Sequence, residues 1–180
     1  MAKSDFKTGT RGGTGDPGLF SLSQIMHLMR VEFSRAQRYN YPIACVLLAI
    51  DRLSELRELY GYDSKEAILD ETVRLLQQKT RSCDFLGRLA DDKLLAILPH
   101  TSPEGVRTMA ERVLRGIREL HFESDGKKLR VTASIGGSHN SGGTTMFFDT
   151  LLAAAEGALG EASSVGGDRF AYRDPGLAGG

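Results

Sequence analysis

The unbroken apolar run Pro42–Ile50 (PIACVLLAI) constrains the fold of this chain more than any other stretch. It is far shorter than the ~20 residues that span a membrane. It follows a proline and has no polar face, so it reads as a strand buried on both sides. Such a strand needs a layer of cover above and below it, and the flanking pattern supplies helices. Ser21 is placed to cap a helix to about Arg38, with Leu22, Ile25, Met26, Met29 and Phe33 at helical spacing. Leu53, Leu56 and Leu59 predict a short helix over 51–60 that ends at Gly61. Asp63 then starts an amphipathic helix to about Lys79, with Ile68, Leu69, Val73 and Leu76 on one face. Asp84–Arg88 and Lys93–Leu98 read as strands of a hairpin around Ala90-Asp91-Asp92. Ser102 and Pro103 open a helix to Leu120. Leu129–Gly136 alternates and is predicted as one strand, Phe147–Ala162 as a helix and Arg169–Tyr172 as a last short strand. Helices and strands alternating around one hairpin imply an α/β fold, a sheet covered by helices.

The chain has 180 residues, enough for one domain with a sizeable core. Residues 1–18 are polar and glycine-rich and read as a disordered leader, and 174–180 as a disordered tail, which leaves 19–173 as the domain. The formal net charge is zero. That excludes a global field for nucleic acid or anionic membrane, so any anion must be met by local arginine clusters. No membrane span and no signal peptide are expected. Cys45 and Cys83 give neither a disulfide framework nor metal-ligand spacing, as in a reduced, cytoplasmic protein. His27, His100, His121 and His139 are scattered and read as unpaired. Gly12–Gly15 and Gly166-Gly167 read as connectors, and no nucleophile–base set stands out.

Several landmarks stand in a fixed order: Asp16-Pro17-Gly18-Leu19-Phe20, Leu47–Asp51 with Leu59-Tyr60-Gly61-Tyr62-Asp63, Arg88–Pro99, Thr132–Gly136 and Ala155–Arg169. In that order and spacing they resemble the GGDEF domains of diguanylate cyclases, which join two GTP molecules into cyclic di-GMP. The resemblance implies a nucleotidyl-cyclase-like fold: a central, mostly antiparallel sheet with a ferredoxin-like βαββαβ core surrounded by helices.

The resemblance also places the family's catalytic positions. The tip Gly-Gly-Asp/Glu-Glu-Phe corresponds to Ala90, Asp91, Asp92, Lys93 and Leu94, so both glycines are replaced and Lys93 stands for a carboxylate. The first-strand metal ligand corresponds to Ala49, with Asp51 at the second acidic position. The base-reading positions correspond to Arg57 and Glu66, with Lys65 for the preceding glycine, and the phosphate-binding Lys and Arg to Ser163 and Gly167. Changes at metal, base and phosphate positions together give the expectation that the chain is not an enzyme, with no catalytic residues, no metal and no cofactor.

Many members carry a second, inhibitory site for cyclic di-GMP, built on Arg-x-x-Asp before the signature. Arg81-Ser82-Cys83-Asp84 fits it in register, while Arg88-Leu89-Ala90-Asp91 matches the pattern out of register. The resemblance completes the site with Arg112 on the next helix and with Arg35 from a neighbouring first helix. Arginine forks suit phosphate or a guanine edge, and a carboxylate accepts from guanine N–H groups. The expectation is an inactive receptor for a stacked pair of cyclic di-GMP molecules, bound by Arg81, Asp84, Arg112 and Arg35, dimerising on ligand and passing its signal to a protein effector. The alternative is a docking module that binds no nucleotide. GTP binding without turnover is a third reading, opposed by Arg57, Lys65 and Asp91.

Overall fold

Strand β2 (Ile43–Ile50) lies at the centre of a six-stranded sheet. The structure is a computed structural model and describes residues 18–140 and 147–175. The expected leader up to residue 17, with the Gly12–Gly15 connector and the Asp16-Pro17 landmark, lies outside the described residues, as does the tail beyond Pro175. The elements run β1 (Leu19–Phe20), α1 (Leu22–Tyr39), β2, α2 (Leu53–Lys79), β3 (Phe85–Arg88), β4 (Leu94–Pro99) and α3 (Pro103–Glu119). They continue β5 (Phe122–Ser124), β6 (Lys127–Leu129), β7 (Ala133–Asn140), α4 (Phe148–Ser164) and β8 (Arg169–Tyr172). The sheet order is β1-β3-β4-β2-β7-β8. The four inner strands pair antiparallel, and the outer pairs β1–β3 and β7–β8 are parallel. The units β2-α2-β3-β4-α3-β7 form the expected βαββαβ core.

The apolar run is buried on both faces because helices cover both. Ala44, Val46, Leu48 and Ile50 join a core with Ile68, Leu69 and Val73 of α2 and Val106, Val113 and Ile117 of α3. Ile43, Cys45 and Leu47 join a second core with Ile25, Met29 and Phe33 of α1 and Leu151, Ala155 and Leu159 of α4. Burial pushes the Cys45 thiol far above its ordinary range, so it packs as a small apolar group. Helix starts follow the sequence signals. Ser21 caps α1 in a capping box with Gln24, and the Ser102 hydroxyl accepts from the Gly105 N–H at 3.2 Å.

One reading needs correction and one holds. The predicted strand Leu129–Gly136 is split. β6 ends at Leu129, β7 begins at Ala133, and β5–β6 form a separate hairpin across Asp125-Gly126, both at positive φ. The two helices expected around Gly61 are present: α2 is two helical segments joined across a kink at Gly61, whose φ of 87° and ψ of 173° are not helical. Glycine takes this conformation without steric cost, so the chain bends there and resumes.

Candidate functional site

The β3–β4 turn, Leu89–Lys93, folds back against α2. It closes through the Lys93 carbonyl accepting from the Leu89 N–H at 2.8 Å, with Asp92 in the left-handed region at φ 63°. Ala49, Arg57, Lys65, Asp91, Asp92 and Lys93 line one cavity of about 160 Å³. These six of the positions expected from the sequence thus meet. Glu66 stands beside them, joined to Arg88 by two parallel hydrogen bonds of 3.0 and 2.9 Å. Arg88 also binds Asp92, and the Lys65 ammonium lies 2.6 Å from Asp92 and 3.4 Å from Glu66. Lys65 is only 8% exposed, so two cations and two carboxylates form a lattice at the base of the turn.

The hydrogen bonds from Arg88 hold the Glu66 carboxyl below the usual carboxylate range. Burial would raise the Asp92 carboxyl, but bonds from Lys65 and Arg88 outweigh it and the carboxyl is lowered. Lys93 pairs with Asp91 at 2.6 Å rather than joining the lattice. As placed, these residues do not fit a divalent metal. Ala49 has no donor, and Asp92 and Glu66 already bond to Lys65 and Arg88. Asp51 points elsewhere: it accepts from the Thr132 and Ser134 hydroxyls at 2.7 and 2.6 Å and from the Asp168 N–H at 2.9 Å. A Cβ on Gly167 would meet the Asp51 carboxylate at 2.6 Å. Gly167 therefore packs over Asp51 and does not line the turn cavity; neither does Ser163, near the end of α4.

A second cavity, of about 350 Å³, opens between the end of α2, the segment after β4 and the outer side of α3. Arg81, Asp84 and Arg112 all line it, together with Lys79, His100, Thr101 and Met109. Three of the four predicted ligand residues are brought together. The Asp84 side chain is 4% exposed and accepts from the Arg81 backbone N–H at 2.7 Å and from its guanidinium at 2.9 Å. The same guanidinium nitrogen donates to the Pro99 carbonyl at 2.8 Å and the Thr101 hydroxyl at 2.6 Å. The Arg81 side chain nevertheless remains 51% exposed. Lys79 and Arg112 have no ion-pair partner among the described residues, so the cavity carries an excess of positive charge.

Arg35 does not reach this cavity. It sits on α1, 57% exposed, 3.3 Å from buried Glu32. Within one copy it is a surface ion pair. The out-of-register Arg88 is spent in the lattice at the turn.

His100 is the residue the sequence did not single out. It lines the second cavity, takes φ 51° and stacks on Tyr41 with ring centroids 3.9 Å apart. The Tyr41 hydroxyl donates to Glu32 at 2.5 Å. Burial and that carboxylate push the phenol up to about 12. His139 is also paired, 2.6 Å from the Tyr172 hydroxyl. The reading of both histidines as unpaired is corrected: their partners lie far off in the sequence, where no local spacing reveals them.

Comparison with known proteins gives consistent relatives. Residues 18–169 match the family model described as the diguanylate cyclase GGDEF domain. Diguanylate cyclase A of Treponema denticola is 27% identical over 110 residues, 61% of this chain and 29% of the relative. Diguanylate cyclase DgcP of Pseudomonas aeruginosa is 26% identical over 157 residues, 87% of this chain and 23% of the relative. The chain thus spans less than a third of either relative's length. Diguanylate cyclase SiaD of Pseudomonas aeruginosa, solved with its activator SiaC, superposes with a TM-score of 0.80 at 28% identity, over 87% of this chain and 60% of that one. The GGDEF domain of DgcB from Caulobacter crescentus, solved with c-di-GMP, superposes with a TM-score of 0.81 at 16% identity, over 91% of this chain and 97% of that one. These findings correct the expectation that the chain is not an enzyme. Its relatives are named diguanylate cyclases, which are enzymes, and replaced side chains read from one sequence do not outweigh that. No helix among the described residues is long and apolar enough to cross a membrane.

Proposed function

The chain belongs to the GGDEF family of diguanylate cyclase domains, and on that premise we propose that its Arg81–Asp84–Arg112 cavity binds cyclic di-GMP and makes the domain a receptor for it. One observation carries this reading. The Arg81–Asp84 pair and Arg112, 28 residues beyond Asp84 and on another element, line one cavity that also holds Lys79 and only one carboxylate. That balance suits a dianionic ligand.

The chemistry divides among the residues. One terminal nitrogen of Arg81 is held by Asp84, Pro99 and Thr101, which fixes the plane of the guanidinium. Nε also donates to Asp84 at 3.4 Å, so the other terminal nitrogen is left to meet a phosphate or a guanine edge. Arg112 and Lys79 bring uncommitted charge. Asp84 accepts from guanine N–H groups where the ligand displaces an Arg81 bond. Each charge-assisted bond contributes about 1.5–3 kcal/mol. A stacked pair of ligands exposes its outer face to a second copy, where Arg35 closes the site and association carries the signal onward.

Calorimetry with cyclic di-GMP tests the reading. Wild-type protein binds, and Arg81→Ala and Asp84→Ala abolish measurable binding while remaining folded by circular dichroism. Unchanged affinity in either variant removes this site. A folded wild-type protein, freed of co-purified ligand, that takes up no cyclic di-GMP at high concentration sinks the receptor and leaves the docking module.

A further inference from the structure

We infer that His100 is a base-binding residue of the same cavity: its imidazole, stacked on Tyr41, forms a preformed aromatic platform that takes a guanine ring of the ligand. The inference rests on the proposal that the cavity binds cyclic di-GMP.

The argument starts from how tightly an exposed side chain is held. His100 is solvent-exposed, yet it is fixed at three points. Its backbone sits in the left-handed region at φ 51°, which few non-glycine residues adopt. Its N–H donates to the Pro42 carbonyl at 2.7 Å. Its ring lies 3.9 Å from the Tyr41 ring at an interplanar angle of 26°. Tyr41 is held in turn: its hydroxyl donates to Glu32 at 2.5 Å, and Glu32 is 6% exposed and paired with Arg35. Conformational outliers of this kind persist only where the surroundings over-determine them, and they collect at binding sites.

Position gives the ring its use. His100 lines the cavity with Arg81 and Arg112. Its two chain neighbours, Pro99 and Thr101, hold the Arg81 guanidinium. Whatever phosphate or base edge Arg81 meets therefore lies close to the imidazole. Tyr41 covers one face of that ring, and the exposed residue offers the other. A purine stacked there extends a column of Tyr41, His100 and base. Because the platform is built before the ligand arrives, little side-chain entropy is lost on binding.

The test separates this residue from the site as a whole. His100→Asn removes the ring but keeps a residue that tolerates the left-handed backbone. Loss of one base–aromatic stack predicts affinity for cyclic di-GMP weakened roughly five- to 150-fold by calorimetry, with the melting temperature little changed. Unchanged affinity in His100→Asn, while Arg81→Ala abolishes binding, overturns the platform and leaves the site standing. Unchanged affinity in both variants, or no binding by wild type, overturns both. A second readout needs no mutation. On saturation of wild-type protein with cyclic di-GMP, the ring-proton resonances of His100 shift upfield from the current of the stacked base, while those of exposed His27 and His121 stay in place. A saturated complex with unmoved His100 resonances also rejects the platform.

Discussion

Arg88 is the residue on which the β3–β4 turn depends. It spans Glu66 on α2 and Asp92 on the turn, and its side chain is 30% exposed against 25% and 23% for its partners. Removing a cation from such a lattice leaves carboxylates under-compensated in a partly dry setting. Arg88→Met should therefore lower stability at pH 7 by about 2 kcal/mol, below the 3–5 kcal/mol of a fully buried pair because water still reaches this one. The pH dependence has a fixed sign. Glu66 and Asp92 have lowered folded-state carboxyls, so their contribution is present above the ordinary carboxylate range of about 4 and is lost as pH falls through the folded values. Urea unfolding at pH 7 and pH 3 should show the gap between wild type and Arg88→Met narrowing at the lower pH; an equal gap at both refutes the lattice's role. At this scale the sequence is legible where register carries information, as at Arg81, Asp84 and Arg112. It is silent where a contact is made by the fold. Lys65 reads as a replaced glycine until α2 brings it to Asp92, and His100 reads as isolated until β4 brings it to Tyr41.

At the scale of elements, what the sequence shows depends on how local the cause is. The buried β2 strand, the Ser21 and Ser102 caps and the break at Gly61 each follow from a handful of neighbouring residues. The β5–β6 hairpin was marked too, by Asp125-Gly126 between Glu123-Ser124 and Lys127-Lys128, but its strands are short and polar and give no apolar alternation to read. The pairing of β1 with β3 was hidden for a different reason: a strand of two residues has no period. The close contact of α4 on β7 is likewise invisible in sequence. A Cβ at Gly136 would lie 2.2 Å from the Leu159 backbone nitrogen and 2.3 Å from the Ala155 carbonyl oxygen. Backbone cannot step aside as a flexible side chain does, so Gly136→Ala must push α4 off the sheet. We expect a loss of about 3 kcal/mol, at the upper end for overpacking. Gly126→Ala, with open space around it but φ of +72°, should cost only about 1 kcal/mol. Thermal melts of the two variants decide this; equal shifts would mean that α4 does not seat on β7 as closely as described.

Across the whole molecule, the cavity and helix α1 are joined through few residues. Pro99 and Thr101 hold Arg81, His100 between them stacks on Tyr41, and Tyr41 bonds Glu32, the partner of Arg35. Arg35 is expected from the sequence as a ligand residue yet lies apart from the cavity in its own copy, so under the proposed receptor reading it would have to come from a second copy. The charge balance is what that proposed closure would need. The cavity sets Lys79, Arg81 and Arg112 against Asp84, which falls short of the phosphates of a stacked ligand pair. Arg30, Arg35 and Arg38 are exposed on α1, and in the proposed closure they would supply the missing cations. Saturating cyclic di-GMP should therefore double the molar mass measured by light scattering, and raising the salt should weaken that association because the contacts are exposed and ionic. Arg35→Glu should still bind ligand through Arg81 but remain monomeric. Dimers of Arg35→Glu as stable as those of wild type would show that α1 does not close the site, and a saturated wild-type protein that stays monomeric would remove association as the way the bound state is read.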